Sequence, residues 1–179
     1  AVMTLNRQQN VFNMYYVNPK SGVSRLILRD ENKCYVDSEW LTSIHFNPSG
    51  FTYVSEQDGY SHIYLYSPTG VMQRQVTKGN WDVTRLIGYD DATKVVYYES
   101  AEESPLRRSV YKIDQKGVKT KLSEGEGTNS ADFSANYAYF VNNYSNANTP
   151  AVITVNETKS KKVLRVLQDN AALREKLAN

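Results

Sequence analysis

The chain has 179 residues, of which 40% are hydrophobic and 22% charged, a balance ordinary for one soluble globular domain with its own core. Its 21 basic and 19 acidic residues are interspersed and leave a net charge of only +2, so we expect no nucleic-acid partner. No apolar stretch reaches the ~20 residues of a membrane-spanning helix. The single Cys34 excludes an intrachain disulfide and a cysteine-based zinc site.

Tyrosine dominates the aromatic residues, with 14 Tyr against 5 Phe and 2 Trp. A tyrosine suits a half-buried pleated surface, with its ring packed and its hydroxyl in water, so the excess favours β-structure. The first residues, Ala1 to Met3, already fall inside a strand-like pattern. We therefore expect a piece of a longer protein.

The first half of the chain contains short β-rich runs separated by turn residues. Residues 13–17 and 23–29, joined by a turn at 18–22, are predicted as the last two strands of one unit. Four further antiparallel strands are predicted at 41–47, 51–55, 62–66 and 71–77. Each run has about 5–7 residues and ends in Gly, Pro, Asn, Asp or Ser, which predicts tight connections.

The same series recurs twice. The second set of four strands is predicted at 83–89, 95–99, 109–113 and 118–122, and the third at 130–133, 137–142, 151–155 and 163–167. Equivalent positions, Phe46, Tyr89 and Phe133, are 43 and 44 residues apart, a spacing typical of four-stranded propeller blades. We predict an all-β fold, a partial β-propeller of about three and a half four-stranded antiparallel blades with a short C-terminal helix.

The predicted propeller occupies residues 1–168, with blade-like units at about 11–29, 40–77, 83–122 and 129–167. Stacked blades cover one another, so we expect the most apolar strands, 51–55, 95–99 and 137–142, to be buried on both faces. Three and a half blades form an open arc with an uncovered edge. Self-association, as in a homodimer, is a further expectation.

The pattern changes at the end of the chain. Asp169 or Asn170 is a suitable cap for a helix, and Leu173 and Leu177 lie one helical turn apart. We predict an exit helix over 169–179 that leads towards another domain.

The sequence carries no complete catalytic constellation. It has no Gly-x-Ser-x-Gly string for a nucleophile elbow, and its only histidines, His45 and His62, fall in predicted strands without a metal-ligand partner at suitable spacing. We interpret both as structural. The chain therefore predicts no catalytic, substrate-binding, cofactor-binding or metal-binding residue, and no cofactor.

Weaker motifs have plainer interpretations. The lone GxG at 125–127 lacks a strand-to-helix context and predicts a turn. The pair Glu102 and Glu103 could hold an ammonium group, but a polar loop partly neutralised by Arg107 and Arg108 is favoured. A basic run, formed by Lys159, Lys161 and Lys162, is interpreted as a solvated turn. Asn143 and Asn156 each begin a glycosylation sequon, which is meaningful only in a secretory host.

Three stretches together resemble the propeller domain of the dipeptidyl peptidase IV family, within the prolyl oligopeptidase superfamily. Residues 55–64 resemble its acidic–Gly–aromatic–x–His–Ile hairpin, and 77–83 its Thr-Lys-Gly-x-Trp-acidic-Val step between blades. Residues 162–173 resemble the Leu-Arg-Val-Leu-x-Asp-Asn segment that leaves the propeller, and 4–10 resemble a strand end of bacterial members. The resemblance extends over essentially the whole chain.

The resemblance implies a serine exopeptidase that removes Xaa-Pro or Xaa-Ala dipeptides from peptide N-termini, exported to a bacterial periplasm or cell envelope. Its catalytic serine, aspartate and histidine would lie in a following α/β-hydrolase domain, and its substrate-gripping glutamates upstream of Ala1. This chain would supply late blades that shape and gate the substrate cavity. Trp40, near an expected substrate wall, is interpreted as core. The alternatives are a free-standing propeller-type module that binds peptides or proteins, or a related acylaminoacyl- or oligopeptidase.

Overall fold

The computed structural model describes residues 1–177 and consists mainly of β-strands in four antiparallel sheets, with one 3-10 helix and one short α-helix. The predicted all-β fold class, with four-stranded antiparallel repeats and a C-terminal helix, is confirmed. The chain divides into two compact units, Ala1–Asn80 and the described residues from Trp81 onward. Within the described residues, neither helix combines the length and the apolar character needed to cross a bilayer.

The first unit contains a three-stranded and a four-stranded sheet. Its strands are β1 (Val2–Leu5), β2 (Val11–Val17), β3 (Ser24–Glu31), β4 (His45–Asn47), β5 (Gly50–Ser55), β6 (His62–Tyr66) and β7 (Met72–Gln75). Each sheet is an antiparallel meander in chain order, β1-β2-β3 and β4-β5-β6-β7. Gly50 has φ 145°, and a Cβ atom there would overlap the backbone of Tyr66, so the tight entry into β5 requires glycine.

Two parts of this unit differ from the sequence-based prediction. The first sheet has a third strand, β1, whose residue Val2 pairs with Tyr15 of β2. The strand agrees with the strand-like pattern of residues 1–3, although the predicted blade-like unit began only at residue 11. Residues 41–43, predicted as strand, belong to a 3-10 helix, Ser38–Ser43. Its start is capped because Asp37 accepts a hydrogen bond from the Glu39 backbone N–H at 2.9 Å. Local side-chain bonds of this kind compete with strand formation.

The core of the first unit lies between its two sheets. Phe12 and Met14 of β2 are fully buried, and the side chains of Phe51 and Tyr53 of β5 are at most 2% exposed. Phe12 stacks on Tyr53 with ring centroids 5.8 Å apart. The Tyr53 hydroxyl donates to Asp30 of β3 at 2.9 Å, so the hydroxyl that we expected in water instead ties one sheet to the other.

The second unit contains two four-stranded sheets and the α-helix. Its elements are β8 (Val83–Asp90), β9 (Val95–Ser100), β10 (Ser109–Ile113), β11 (Lys119–Lys121), β12 (Thr128–Phe133), β13 (Tyr139–Asn146), β14 (Thr149–Glu157), β15 (Val163–Gln168) and α1 (Ala171–Leu177). Each sheet is again a meander in chain order. Tyr97, Val110, Leu122, Ala131 and Phe140 form the core between them.

Burial on both faces holds for two of the three strands for which it was predicted. β5 is buried throughout and β9 almost throughout, whereas in β13 buried and exposed side chains alternate. The prediction for residues 137–142 is therefore wrong. β13 lies in a sheet with one uncovered face, on which Tyr139 and Val141 remain 46% and 37% exposed. Tyr137 itself precedes the strand, with φ 55° in the left-handed region.

The short helix α1 begins after the predicted caps. The Ala171 backbone N–H donates to the Asp169 side chain at 3.0 Å, and the Arg174 N–H donates to the Asn170 carbonyl at 2.9 Å. Both polar residues therefore stabilise the start of the helix. The predicted continuation to 178–179 lies outside the described residues.

Candidate functional site

The two histidines differ in environment. His62 is fully buried on β6, with Nδ1 at 3.1 Å from Thr77 Oγ1 and Nε2 at 3.0 Å from the Gly79 carbonyl oxygen. His45 lies at the surface of β4, where partial desolvation lowers its pKa. The contacts of His62 support a structural role, because both ring nitrogens bind the segment that follows β7. Among the described residues, no three potential ligands are grouped as a metal site.

The glutamate pair is neutralised by cations other than the expected ones. Glu103 accepts hydrogen bonds from Lys121 Nζ at 2.8 Å and from the Tyr111 hydroxyl at 3.0 Å. The Lys121 bond holds the pKa of Glu103 below its usual value. Glu102 pairs with Lys119. The prediction that arginine neutralises this loop is wrong, because the lysines of β11 lie opposite it across the sheet and Arg107 pairs instead with Glu126, at 2.8 Å.

The GxG loop at 125–127 connects two sheets and shows close packing rather than a ligand cradle. A Cβ atom on Gly125 would lie 2.9 Å from the Tyr144 ring, and the Tyr144 hydroxyl donates to the Glu126 carbonyl at 3.2 Å. The glycines therefore let the loop lie against β13, in agreement with the turn interpretation.

A polar network that the sequence analysis missed joins the two sheets of the second unit. Arg85 of β8 donates to Glu99 of β9 at 3.2 Å and to Asp132 of β12 at 2.8 Å. Glu99, only 6% exposed, also accepts the Ala131 backbone N–H at 3.0 Å. Burial raises the pKa of Glu99 above its usual value. The available signal was a glutamate inside an otherwise apolar strand, since a buried carboxylate requires partners.

The network lies near β8 and β12, the edge strands that begin the two sheets. β12 contacts β8 and β10 of the neighbouring sheet, whereas a cavity of about 260 Å³ separates the segment after β11 from strands β13 to β15. The two sheets therefore form a wedge that is tied at the β8 and β12 edge and open at the other. Stacked propeller blades require this geometry around a central channel.

The remaining motif residues lie apart from this edge. Trp40, within the 3-10 helix, is partly buried against the first unit's core, which supports its interpretation as a packing residue. Cys34 is exposed. Lys159, Lys161 and Lys162 lie in the exposed turn between β14 and β15. Of the two sequon asparagines, Asn143 is exposed and Asn156 is only 6% exposed.

Comparison with known proteins identifies the family of the chain. The family model for the dipeptidyl peptidase IV N-terminal region matches residues 1–151. Dipeptidyl peptidase 4 of Trichophyton rubrum is 30% identical over 99% of this chain, and a relative from Arthroderma otae is 29% identical over the same share. The matched range includes the hairpin at 55–64 and the step at 77–83, while the exit segment at 162–173 lies beyond it.

Solved structures agree in fold. The crystal structure of Porphyromonas gingivalis dipeptidyl peptidase 4 is 61% identical over 98% of this chain, with a TM-score of 0.94. A structure from Bacteroides ovatus, described as a dipeptidyl aminopeptidase IV, is 25% identical over 93% of the chain, with a TM-score of 0.78. The partial-propeller fold class is thereby confirmed.

The chain spans about a quarter of each relative: 24% of the Trichophyton rubrum protein and 25% of the Porphyromonas gingivalis chain. The family model matches residues 1–151. The repeated four-stranded sheets and the buried histidine of the hairpin agree with this match. The chain belongs to the dipeptidyl peptidase IV family, in its N-terminal region.

Proposed function

We propose that this chain is the non-catalytic propeller portion of a serine dipeptidyl peptidase that releases Xaa-Pro or Xaa-Ala dipeptides from peptide N-termini. The observation that carries the proposal is the 61% identity and 0.94 TM-score with Porphyromonas gingivalis dipeptidyl peptidase 4 over nearly the whole chain. None of the residues of this chain is catalytic in this proposal. The serine, aspartate and histidine belong to an α/β-hydrolase domain elsewhere in the parent.

The portion acts as a rigid wall of the substrate cavity. Its polar groups at the β8 and β12 edge are engaged with one another, since Arg85 binds both Glu99 and Asp132. The glutamate pair after β9 is likewise engaged by Lys119 and Lys121. An arrangement of this kind holds neighbouring blades in place and leaves the gripping of the substrate ammonium to other parts of the parent.

The last sheet provides an attachment surface for the rest of the parent. Large apolar side chains remain about half exposed along β15 and on α1: Val163, Leu164, Val166, Leu167, Leu173 and Leu177. Large exposed apolar side chains on the last sheet and on the helix that follows it are consistent with an interface. We assign it to the remainder of the parent chain, with residues 1–168 as propeller and 169–179 leading towards the hydrolase domain. In the isolated chain the same surface favours a homodimer.

The parent is proposed to be exported to a bacterial periplasm or cell envelope. The similarity to a Porphyromonas gingivalis enzyme supports this assignment. Its partners there are peptide substrates.

The test compares hydrolysis of a Gly-Pro chromogenic amide by this chain and by a version extended in both directions along its gene. The chain alone is expected to be inactive, and the extended protein to cleave the amide and to lose activity with a serine-directed inhibitor. An extended protein that is folded but inert would refute the proposal and leave a peptide-binding module as the better assignment. Sedimentation of both proteins checks the interface, because the homodimer of the isolated chain should dissociate on dilution.

A further inference from the structure

The 101–108 loop, which joins β9 to β10, carries an apolar side chain that the rest of the unit leaves in water. Leu106 is 87% exposed and is the most exposed of the large hydrophobic side chains among the described residues. A leucine in water lacks the favourable free energy that burial of its surface provides. The side chain is therefore available to a partner surface that can bury it.

Hydrogen bonds order the backbone of this loop. The Ser104 N–H donates to the Ala101 carbonyl at 3.2 Å, and the Arg107 N–H donates to the Ser104 carbonyl at 3.1 Å, which makes two successive turns. The Leu106 N–H donates to Ser104 Oγ at 3.2 Å. Because the loop is already ordered, a contact made through Leu106 requires little further loss of conformational freedom.

The charged side chains of the loop are paired within the unit. Its two glutamates bind the lysines of β11, and Arg107 pairs with Glu126 at 2.8 Å. The Arg108 guanidinium donates to the Pro105 and Arg107 carbonyls at 2.9 and 2.8 Å. Since these charges are already engaged, the surface that receives Leu106 is expected to be apolar rather than charged.

The pairing of strands places this loop at the end of the sheets where α1 begins. Arg108 forms a parallel bridge with Thr128 at the start of β12, and Thr128 pairs with Ser145 near the end of β13. β14 begins at the same end, where the Asn170 side chain, just before α1, donates to the Ala151 carbonyl at 2.7 Å. Neighbouring strands are about 4.8 Å apart, so about 10 Å separates β12 from β14. The loop and α1 therefore lie at the same end of the second unit.

We propose that the 101–108 loop docks on the α/β-hydrolase domain of the parent, with Leu106 inserted into an apolar pocket of that domain. This inference rests on the proposed function, in which residues 169–179 lead towards the hydrolase domain. Because α1 lies at the same end, the loop extends the attachment surface from the last sheet to the sheet before it. Burial of one leucine side chain favours the docked arrangement about tenfold or more.

The test is site-specific photo-cross-linking of the extended parent, with Leu106→p-benzoylphenylalanine and, as matched control, Val118→p-benzoylphenylalanine. Val118 is 59% exposed and lies in the turn between β10 and β11. β10 has five residues, so this turn is about 17 Å from the loop, at the other end of the strand. Both positions are exposed, so neither variant should prevent folding. A cross-link from position 106 to a peptide of the hydrolase domain, absent for position 118, is expected by mass spectrometry.

Hydrogen exchange of the cross-linked hydrolase peptide is the second measurement. In the extended parent, Leu106→Ala should speed its exchange about tenfold or more, because loss of the buried side chain weakens docking. Val118→Ala should leave the exchange unchanged. Failure of position 106 to cross-link to the hydrolase domain would overturn the proposal. So would a cross-link only to an added peptide or to a second copy, equal cross-linking from both positions, or unchanged exchange in Leu106→Ala.

The cross-link requires no turnover, so it is independent of the test of the proposed activity. An extended protein that does not cleave the Gly-Pro amide but gives the cross-link would refute the proposed activity and support the docking of the loop. An active extended protein without the cross-link would support the activity and overturn the docking.

Discussion

Replacing Thr77 by valine tests the buried bridge around His62. Thr77 is 3% exposed, and its Oγ1 accepts the Ile63 backbone N–H at 3.0 Å and lies 3.1 Å from His62 Nδ1. Valine keeps the shape but removes the oxygen, so it deprives a buried donor and a ring nitrogen of this partner. The Ile63 N–H left unpaired costs about 1–3 kcal/mol, and the lost contact between Thr77 and His62 adds to that cost.

Thr69→Val is the matched control in the same unit. Thr69 is exposed and its hydroxyl pairs with Ser67 at 2.8 Å, so its loss should change the free energy of unfolding by no more than about 0.5 kcal/mol. Such a difference between the two variants is a large fraction of the stability of a typical domain, about 5–15 kcal/mol.

The assay is urea unfolding followed by tryptophan fluorescence, which can report on each unit separately. Trp40 packs against the core of the first unit, and Trp81 stacks on Tyr98 of the second with centroids 6.5 Å apart. In a Trp81→Phe background, Thr77→Val should lower the midpoint of the Trp40 transition well below that of Thr69→Val. Indistinguishable midpoints for Thr77→Val and Thr69→Val would refute the reasoning.

Four further substitutions probe the second unit by urea unfolding. Because burial raises the pKa of Glu99, its stabilising contribution is lost as pH rises through the raised value. Glu99→Gln should therefore gain stability relative to the wild type as pH rises above about 4.3, the ordinary pKa of glutamate. The pKa of Glu103 is lowered by Lys121, so the stabilising contribution of Glu103 is lost as pH falls. Glu103→Gln should therefore be destabilising at neutral pH and have little effect on stability at acidic pH. Stability profiles of the two glutamine variants that run parallel to that of the wild type across pH would contradict both predictions. Gly88→Ala places a Cβ atom against the Tyr137 hydroxyl and should cost about 1–3 kcal/mol. Tyr137→Phe should relieve part of that cost, and strict additivity would show that the contact is not its source.

Most of the strand assignments followed from local chemistry. The runs at 62–66 and 109–113 coincide with β6 and β10, because β-branched and tyrosine residues between turn residues encode a strand without reference to the rest of the chain. Residues 41–43 did not follow this pattern. There the capping carboxylate of Asp37 favours a 3-10 turn, a preference that competes with a β-rich composition.

The amino-acid sequence did not reveal which residues pair over long distances along the chain. Nothing in the local sequence links Arg85 to Asp132, which is 47 residues away, and the Glu102 and Glu103 loop finds its lysines across the sheet rather than in its own segment. Tyr53 shows the same effect, since its hydroxyl binds Asp30 of another sheet. Side-chain pairs of this kind depend on which strands become neighbours.

The sequence by itself therefore determined the repeat, the fold class and the family, because hydrophobic periodicity, turn residues and short motifs are local properties that recur every 43 to 44 residues. Tertiary structure alone decided which face of each strand is covered, as the alternating burial of β13 shows. It also oriented the Asn142 amide beside the cavity, through bonds that pass from Arg108 to Asn129. The physical reason is that burial and hydrogen-bond orientation arise only when separate strands pack together.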